Sequence, residues 1–192
     1  MIALGENALA GSVGALANPL CLAGLRERLD AARTITIYPL KAEAQSVAGH
    51  ISSVFGINEV VISRQRLRAA KLHVRAGDAE GWQTAIGDGV LIANPIGSAG
   101  YNQSAGGPIL RWDSQLLALT GIAIRNRSEW CNMVISDRAD VDVEVIDPMY
   151  RPTRLETAME QMAGIARVVV SCCRDRPLAL LFDAPLPSCR AI

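Results

Sequence analysis

Hydrophobic and polar residues alternate with a period of two along much of the chain. Ile35 and Ile37 alternate with Thr34, Thr36 and Tyr38. Leu72 and Val74 alternate with Lys71, His73 and Arg75, and Val141, Val143 and Val145 with Asp140, Asp142 and Glu144. A period of two puts the apolar set on one face of a strand and the polar set on the other. Further apolar runs lie at Ile57–Ile62, Leu116–Ile124 (interrupted by Gly121), Arg167–Cys173 and Leu178–Phe182. Many short strands and few helical patterns predict a mainly β domain built as a β-sandwich. A helical pattern appears early. Asn18-Pro19 supplies an N-cap and a first-turn proline, and Leu22, Leu25, Leu29 and Ala32 then share a face opposite Arg26, Glu27, Arg28 and Asp30. The expected organisation is a connector and short helix over residues 1–33, the sandwich over 34–183 and a tail over 184–192.

Between Gly87 and Leu110 the pattern changes character. A Gly-Asp-Gly turn leads into the apolar run Val90-Leu91-Ile92, which breaks at Pro95 and Gly97. Ser98 then stands as an N-cap for about two turns of helix over Ala99–Ala105, stopped by Gly106, Gly107 and Pro108. A strand feeding a glycine-relieved turn and a helix aims unpaired backbone N–H groups at the space above the turn, which suits a polar ligand group. The same pattern serves equally as a plain connection. No Gly-Lys-Ser/Thr follows, so it is not a P-loop, and neither G-x-G-x-x-G nor G-x-S-x-G is present.

Asp88-Gly89, Pro95, Gly97-Ser98, Tyr101 and Ser104-Ala105-Gly106-Gly107-Pro108 stand in the register of a long signature of NAD kinases, and the segment resembles that family. The departures are Asn94, Ile96, Ala99 and Gly100, where the family usually has Thr, Thr or Ser, Thr and Ala. Ile57-Asn58-Glu59-Val60-Val61 resembles the family's Asn-Glu motif, and Gly11-Ser12-Val13-Gly14 its connector into this domain, with Ala15 in place of Phe. The resemblance implies a C-terminal NAD-binding and oligomerising β-sandwich with a short helix after the Gly/Ser-rich turn. It further implies NAD or NADP as ligand, ATP and Mg²⁺ as partners in the reaction, and a homodimer or homotetramer. Carried over residue by residue, the NAD-binding set is Asn58, Glu59, Asp88, Ala99, Gly100, Tyr101 and Ser104. Asn58 and Glu59 would meet the adenosine part, Asp88 the nicotinamide side and Ser104 the adenine. Read without the resemblance, Asn58-Glu59 and Asp88 are also ordinary turn residues.

The family's other signature, Gly-Gly-Asp-Gly, lies upstream and supplies the base on the ribose 2′-hydroxyl and the loop near the ATP phosphates. It occurs nowhere in these 192 residues. No Asp-Gly element appears within Leu155–Gly164 either, and Ala99 lacks the hydroxyl of the usual Thr. The expectation is a truncated, partly degenerate NAD-binding domain, inactive alone and carrying no catalytic residue of its own. The alternative is a non-catalytic nucleotide-binding or assembly module.

Composition narrows the remaining classes. The 19 basic and 19 acidic side chains cancel, which removes any general attraction to nucleic acid or to an anionic membrane. No apolar run reaches spanning length, and Met1–Ala17 lacks the features of a secretory signal. Cys21, Cys131, Cys172, Cys173 and Cys189 form no C-x-x-C pair, which argues against a zinc site or a disulfide framework and points to the cytoplasm. Cys172-Cys173 lies in an apolar run and reads as core. Asp137, Asp140, Asp142, Glu144 and Asp147 match no calcium loop, and the period of two makes Asp140, Asp142 and Glu144 one solvated strand face. His73 stands on what reads as an exposed face and His50 beside Gly49 at a turn. Neither stands near a nucleophile in a triad-like motif.

Overall fold

Residues 24–77 and 81–182 are described by a computed structural model. The Gly11–Gly14 element, the cap at Asn18-Pro19 and the tail at 184–192 lie outside them. A short helix α1 (Leu25–Asp30) leads into fourteen strands. These are β1 (Arg33–Ile37), β2 (Leu40–Ser46), β3 (Ile51–Gly56), β4 (Glu59–Arg64), β5 (Ala70–Ala76), β6 (Gln83–Gly87) and β7 (Gly89–Ala93). After a 3-10 turn at Gly97–Ala99 and one helical turn α2 (Tyr101–Ser104) come β8 (Leu116–Ile122), β9 (Met133–Ser136) and β10 (Val141–Val145). The last are β11 (Thr153–Glu156), β12 (Gln161–Ala163), β13 (Ile165–Cys172) and β14 (Leu178–Phe182).

Two six-stranded antiparallel sheets face each other, ordered β3-β2-β13-β10-β5-β6 and β12-β11-β4-β7-β8-β9, as the alternation predicts. β1 and β14 form a separate two-stranded ribbon. One core joins the inner faces. Leu40, Leu72, Val74, Val141, Val143, Val168 and Val170 meet Val60, Ile62, Val90, Ile92, Leu117, Leu119 and Leu155. Burying one such side chain is worth about 1.5–3 kcal/mol. A second layer lies on the outer face of the second sheet, where Val61, Leu91, Ala93 and Ala118 pack under Leu110. β7 is therefore buried on both faces, which accounts for its unbroken apolar run.

Several expectations need correction. α1 has Gly24 at its N-cap with φ 65° and no side-chain cap, and it buries no residue fully, so its apolar face is not a core face. Gly121 does not interrupt β8. It pairs with Val90 inside the strand, and Ile124 and Trp130 crowd the space that a Cβ would need. The β2–β3 hairpin, turning near Gly49 and His50, escaped the pattern because the inward residues Ala42 and Ala44 and the polar Lys41, Glu43 and Gln45 are weak strand formers.

The acidic face of β10 is also not uniformly solvated. Asp142 is 6% exposed and bound by Arg167 (Nε to Oδ1 at 2.9 Å, Nη2 to Oδ2 at 2.7 Å), with Arg75 at 3.4 Å. His73 is half-buried, with its ring 6.4 Å from that of Trp82. Cys173 is buried and Cys172 half-buried, and burial raises the Cys172 thiol to about 11, which keeps it protonated at neutral pH. Among the described residues no group of His, Cys, Asp and Glu could hold a metal ion. No helix there is long and apolar enough to cross a membrane.

Candidate functional site

The site is organised by the turn that leaves β7. Asn94, 1% exposed, accepts at Oδ1 from the backbone N–H of Ile96 (3.1 Å) and Gly97 (3.0 Å). Its Nδ2 donates to the carbonyls of Ile57 (2.6 Å) and Tyr38 (3.2 Å). One side chain thus caps the turn and ties it to the loop before β4 and to the β1–β2 connection. Ser98 is not the N-cap expected from sequence. It is buried, its Oγ donating to Pro95 O (2.7 Å) and accepting from Leu110 N (2.9 Å).

The expected two-turn helix is divided. Gly100 leaves helical geometry at φ −96°, ψ −123°, so a 3-10 turn and a single α-turn stand in its place. The end does follow glycine chemistry. Gly106 takes φ 82°, and the Gly107 and Gly106 N–H groups donate to Asn102 O (2.8 Å) and Gln103 O (2.9 Å), closing the last turn as a Schellman motif. Asn102 pins this turn to the sheet, donating to Ser98 O and Pro108 O and accepting from the Thr120 hydroxyl at 2.6 Å.

This short helical segment forms one wall of a cavity of about 500 Å³ on the outer face of the second sheet. Glu59, Asp88 and Tyr101 line it together, as do Arg64, Arg154 and Glu156, over an apolar floor of Val61 and Ile122. Asn58 precedes Glu59 and is 7% exposed. Ala99 ends the 3-10 turn, Gly100 forms the break before α2, and Ser104 is exposed on α2. These three, and Asn58, are not part of the cavity wall.

Two buried acceptors here have no partner, Asn58 Oδ1 and Glu59 Oε2. Leaving such an atom unpaired typically costs about 1–3 kcal/mol, so hydrogen-bond donors would stabilise this corner. A Cβ on Gly97 would lie 2.7 Å from Glu59 Oε2 and collide with the Asn58 carbonyl, so only glycine lets this carboxylate pack against the turn.

Burial raises the Glu59 carboxyl above its ordinary value of 4.5. Below the unfolded value both states are protonated and no stability is lost. As pH rises through the raised folded value, ionisation costs the folded state more than the unfolded one. Glu59→Gln is therefore expected to melt above the wild type at pH 7 and level with it near pH 4. A melting advantage that fails to grow with pH would show that burial does not govern this carboxylate.

Asp88 sits in a different environment. Its carboxylate is held by Arg64 at both oxygens, Nε to Oδ1 at 2.8 Å and Nη2 to Oδ2 at 3.1 Å, and it is 42% exposed. Pairs this accessible are typically worth about 0–1 kcal/mol, so this one contributes little to stability. Sequence reasoning passed over Arg64, Arg154 and Glu156. The signal was present in Thr153-Arg154-Leu155-Glu156, where Thr153 and Leu155 point inward and the two charges outward.

The sequence model of the family described as "ATP-NAD kinase C-terminal domain" matches residues 57–169, a range that includes Asn58, Asp88 and Glu156. An NAD kinase of Zymomonas mobilis is 37% identical over 173 residues, covering 90% of this chain and 67% of that protein. An NAD kinase of Hyphomonas neptunium is 35% identical over the same length, covering 68% of its own. The fold is that of the yeast NADH kinase complexed with NADH (TM-score 0.73, 15% identity, 94% of this chain and 60% of the other). It is also that of an NAD kinase from Archaeoglobus fulgidus in complex with ATP (TM-score 0.61, 18% identity, 78% and 56%).

Proposed function

Because the chain belongs to the NAD kinase family, we propose that it binds an NAD-type dinucleotide across the outer face of its second sheet. The observation that carries this reading is the pair of unpartnered buried acceptors, Glu59 Oε2 on a residue of the cavity wall and Asn58 Oδ1 on the residue before it. Ribose hydroxyls and the adenine amine are donors of the kind these atoms lack. Tyr101, 45% exposed at the cavity wall, offers a ring face, and Val61 and Ile122 offer an apolar floor. Asp88, 42% exposed, would accept from the far end of the ligand on lone pairs that Arg64 does not use. Ser104, Ala99 and Gly100 remain in the proposed set on motif register alone.

The family's reaction moves a phosphoryl group from ATP to the 2′-hydroxyl of NAD, and the share we assign to these residues is to bind and orient the dinucleotide. Among the described residues no group of three or more His, Cys, Asp and Glu could hold a metal ion by protein ligands alone. By themselves the 192 residues would bind without turnover. Calorimetric titration with NAD is the test. Wild type should bind, and Asn58→Ala should bind about tenfold more weakly, the loss of one or two hydrogen bonds. Equal binding by both proteins would move the site away from Asn58.

A further inference from the structure

We infer that Arg154 is an anion-reading residue of this cavity, taking a phosphate of the bound nucleotide on its two terminal amines. The inference rests on the cavity being the nucleotide site proposed above. Both contacts of Arg154 use Nε, which lies 2.9 Å from Glu156 Oε2 and 3.3 Å from Ser63 Oγ. Ser63 in turn donates to the same Glu156 oxygen at 3.1 Å. Among the described residues neither terminal amine of Arg154 makes a hydrogen bond. The side chain is 39% exposed and lines the cavity. The guanidinium is thus held at its inner nitrogen while its two terminal amines carry no hydrogen bond, an arrangement suited to the paired oxygens of a phosphate.

Before any ligand binds, the surrounding contacts leave Arg154 as the cavity arginine with both terminal amines unbonded. Arg64 is the other cation of the cavity, and it spends Nε and Nη2 on Asp88 and Nη1 on the Leu67 carbonyl at 2.5 Å. The carboxylates of Asp88 and Glu156 are already set against arginines. The spacing also fits a nucleotide. Arg154 pairs with Ser63 in the β4–β11 register, four residues along β4 from Glu59. At about 3.3 Å per residue this is roughly 13 Å of strand. A donor-rich nucleoside at Glu59 and an anionic group beside Ser63 are then one ligand's length apart, with Val61 under the span.

The test separates the anion from the nucleoside. Purified wild type, Arg154→Gln and Arg154→Lys are titrated with inorganic pyrophosphate, adenosine, adenosine 5′-monophosphate and NAD. Wild type should bind the monophosphate more tightly than adenosine. Arg154→Gln should lose about 10- to 100-fold for pyrophosphate and for the monophosphate, with adenosine unchanged. Arg154→Lys keeps the charge without the fork and should recover only part of the loss. Wild-type binding of pyrophosphate and the monophosphate by Arg154→Gln would overturn the inference, as would pyrophosphate failing to bind the wild type. Arg154-dependent pyrophosphate binding without binding of adenosine or NAD would uphold the anion site and overturn the proposed dinucleotide ligand.

Discussion

Asn94→Ala should cost about 3–5 kcal/mol of stability and remove dinucleotide binding. The side chain makes four hydrogen bonds, two as donor and two as acceptor, while 1% exposed. Alanine leaves the Tyr38 and Ile57 carbonyls and the Ile96 and Gly97 N–H groups without these partners, each unpaired buried group costing about 1–3 kcal/mol before relaxation. For a chain of this size such a loss lowers the melting temperature by roughly 10 °C. The effect on binding has the same origin. Asn94 holds the Ile57 carbonyl and the Gly97 N–H on either side of the Asn58–Glu59 contact, so releasing it lets both acceptors drift from the cavity. Asn94→Asp keeps the acceptor and turns the other oxygen against two carbonyls, and should do no better. A variant melting within about 2 °C of the wild type and binding NAD equally would refute this role.

The purified 192-residue chain should form no NADP from NAD with Mg-ATP or with polyphosphate. A ribose hydroxyl is a poor nucleophile at neutral pH, and a positioned base typically contributes about 10²–10⁴-fold. Holding the donor in line and neutralising its charge contribute further. The family's Gly-Gly-Asp-Gly element, which serves these tasks, is not among these residues. Asp88 offers a carboxylate, but both its oxygens are engaged by Arg64, and the proposed pose sets it beside the nicotinamide. The assay is NADP production with each donor. Clear turnover abolished by Asp88→Asn would make Asp88 the base and redraw the boundary of the active site.

Much of the sandwich was legible because strand burial repeats every two residues. Val141, Val143 and Val145, or Leu72 and Val74, declare an inward face without reference to any partner strand. Strands whose inward residues are alanines, as in β2, carry no such contrast. The family signature brought Glu59, Asp88 and Tyr101 into one cavity wall from three separate segments, which periodicity could not do. Local capping rules misled at Ser98. The residue before Pro95 had already taken the cap, and the serine hydroxyl was drawn inward to bond Pro95 and Leu110. The pairing of Asp88 with Arg64 and the placing of Arg154 beside Ser63 depend on strand register between β4, β7 and β11, which only the folded sheet fixes.

We propose that an NAD-type dinucleotide occupies the cavity between β4, β11 and α2, its adenosine end on Asn58 and Glu59. A crystal structure of the chain grown with NAD tests it most directly. The account predicts ribose or adenine donors within hydrogen-bond distance of Asn58 Oδ1 and Glu59 Oε2, the Tyr101 ring against the ligand, and a phosphate on the terminal amines of Arg154. Dinucleotide bound elsewhere on the sandwich, with Asn58 Oδ1 and Glu59 Oε2 still unpartnered, would contradict it.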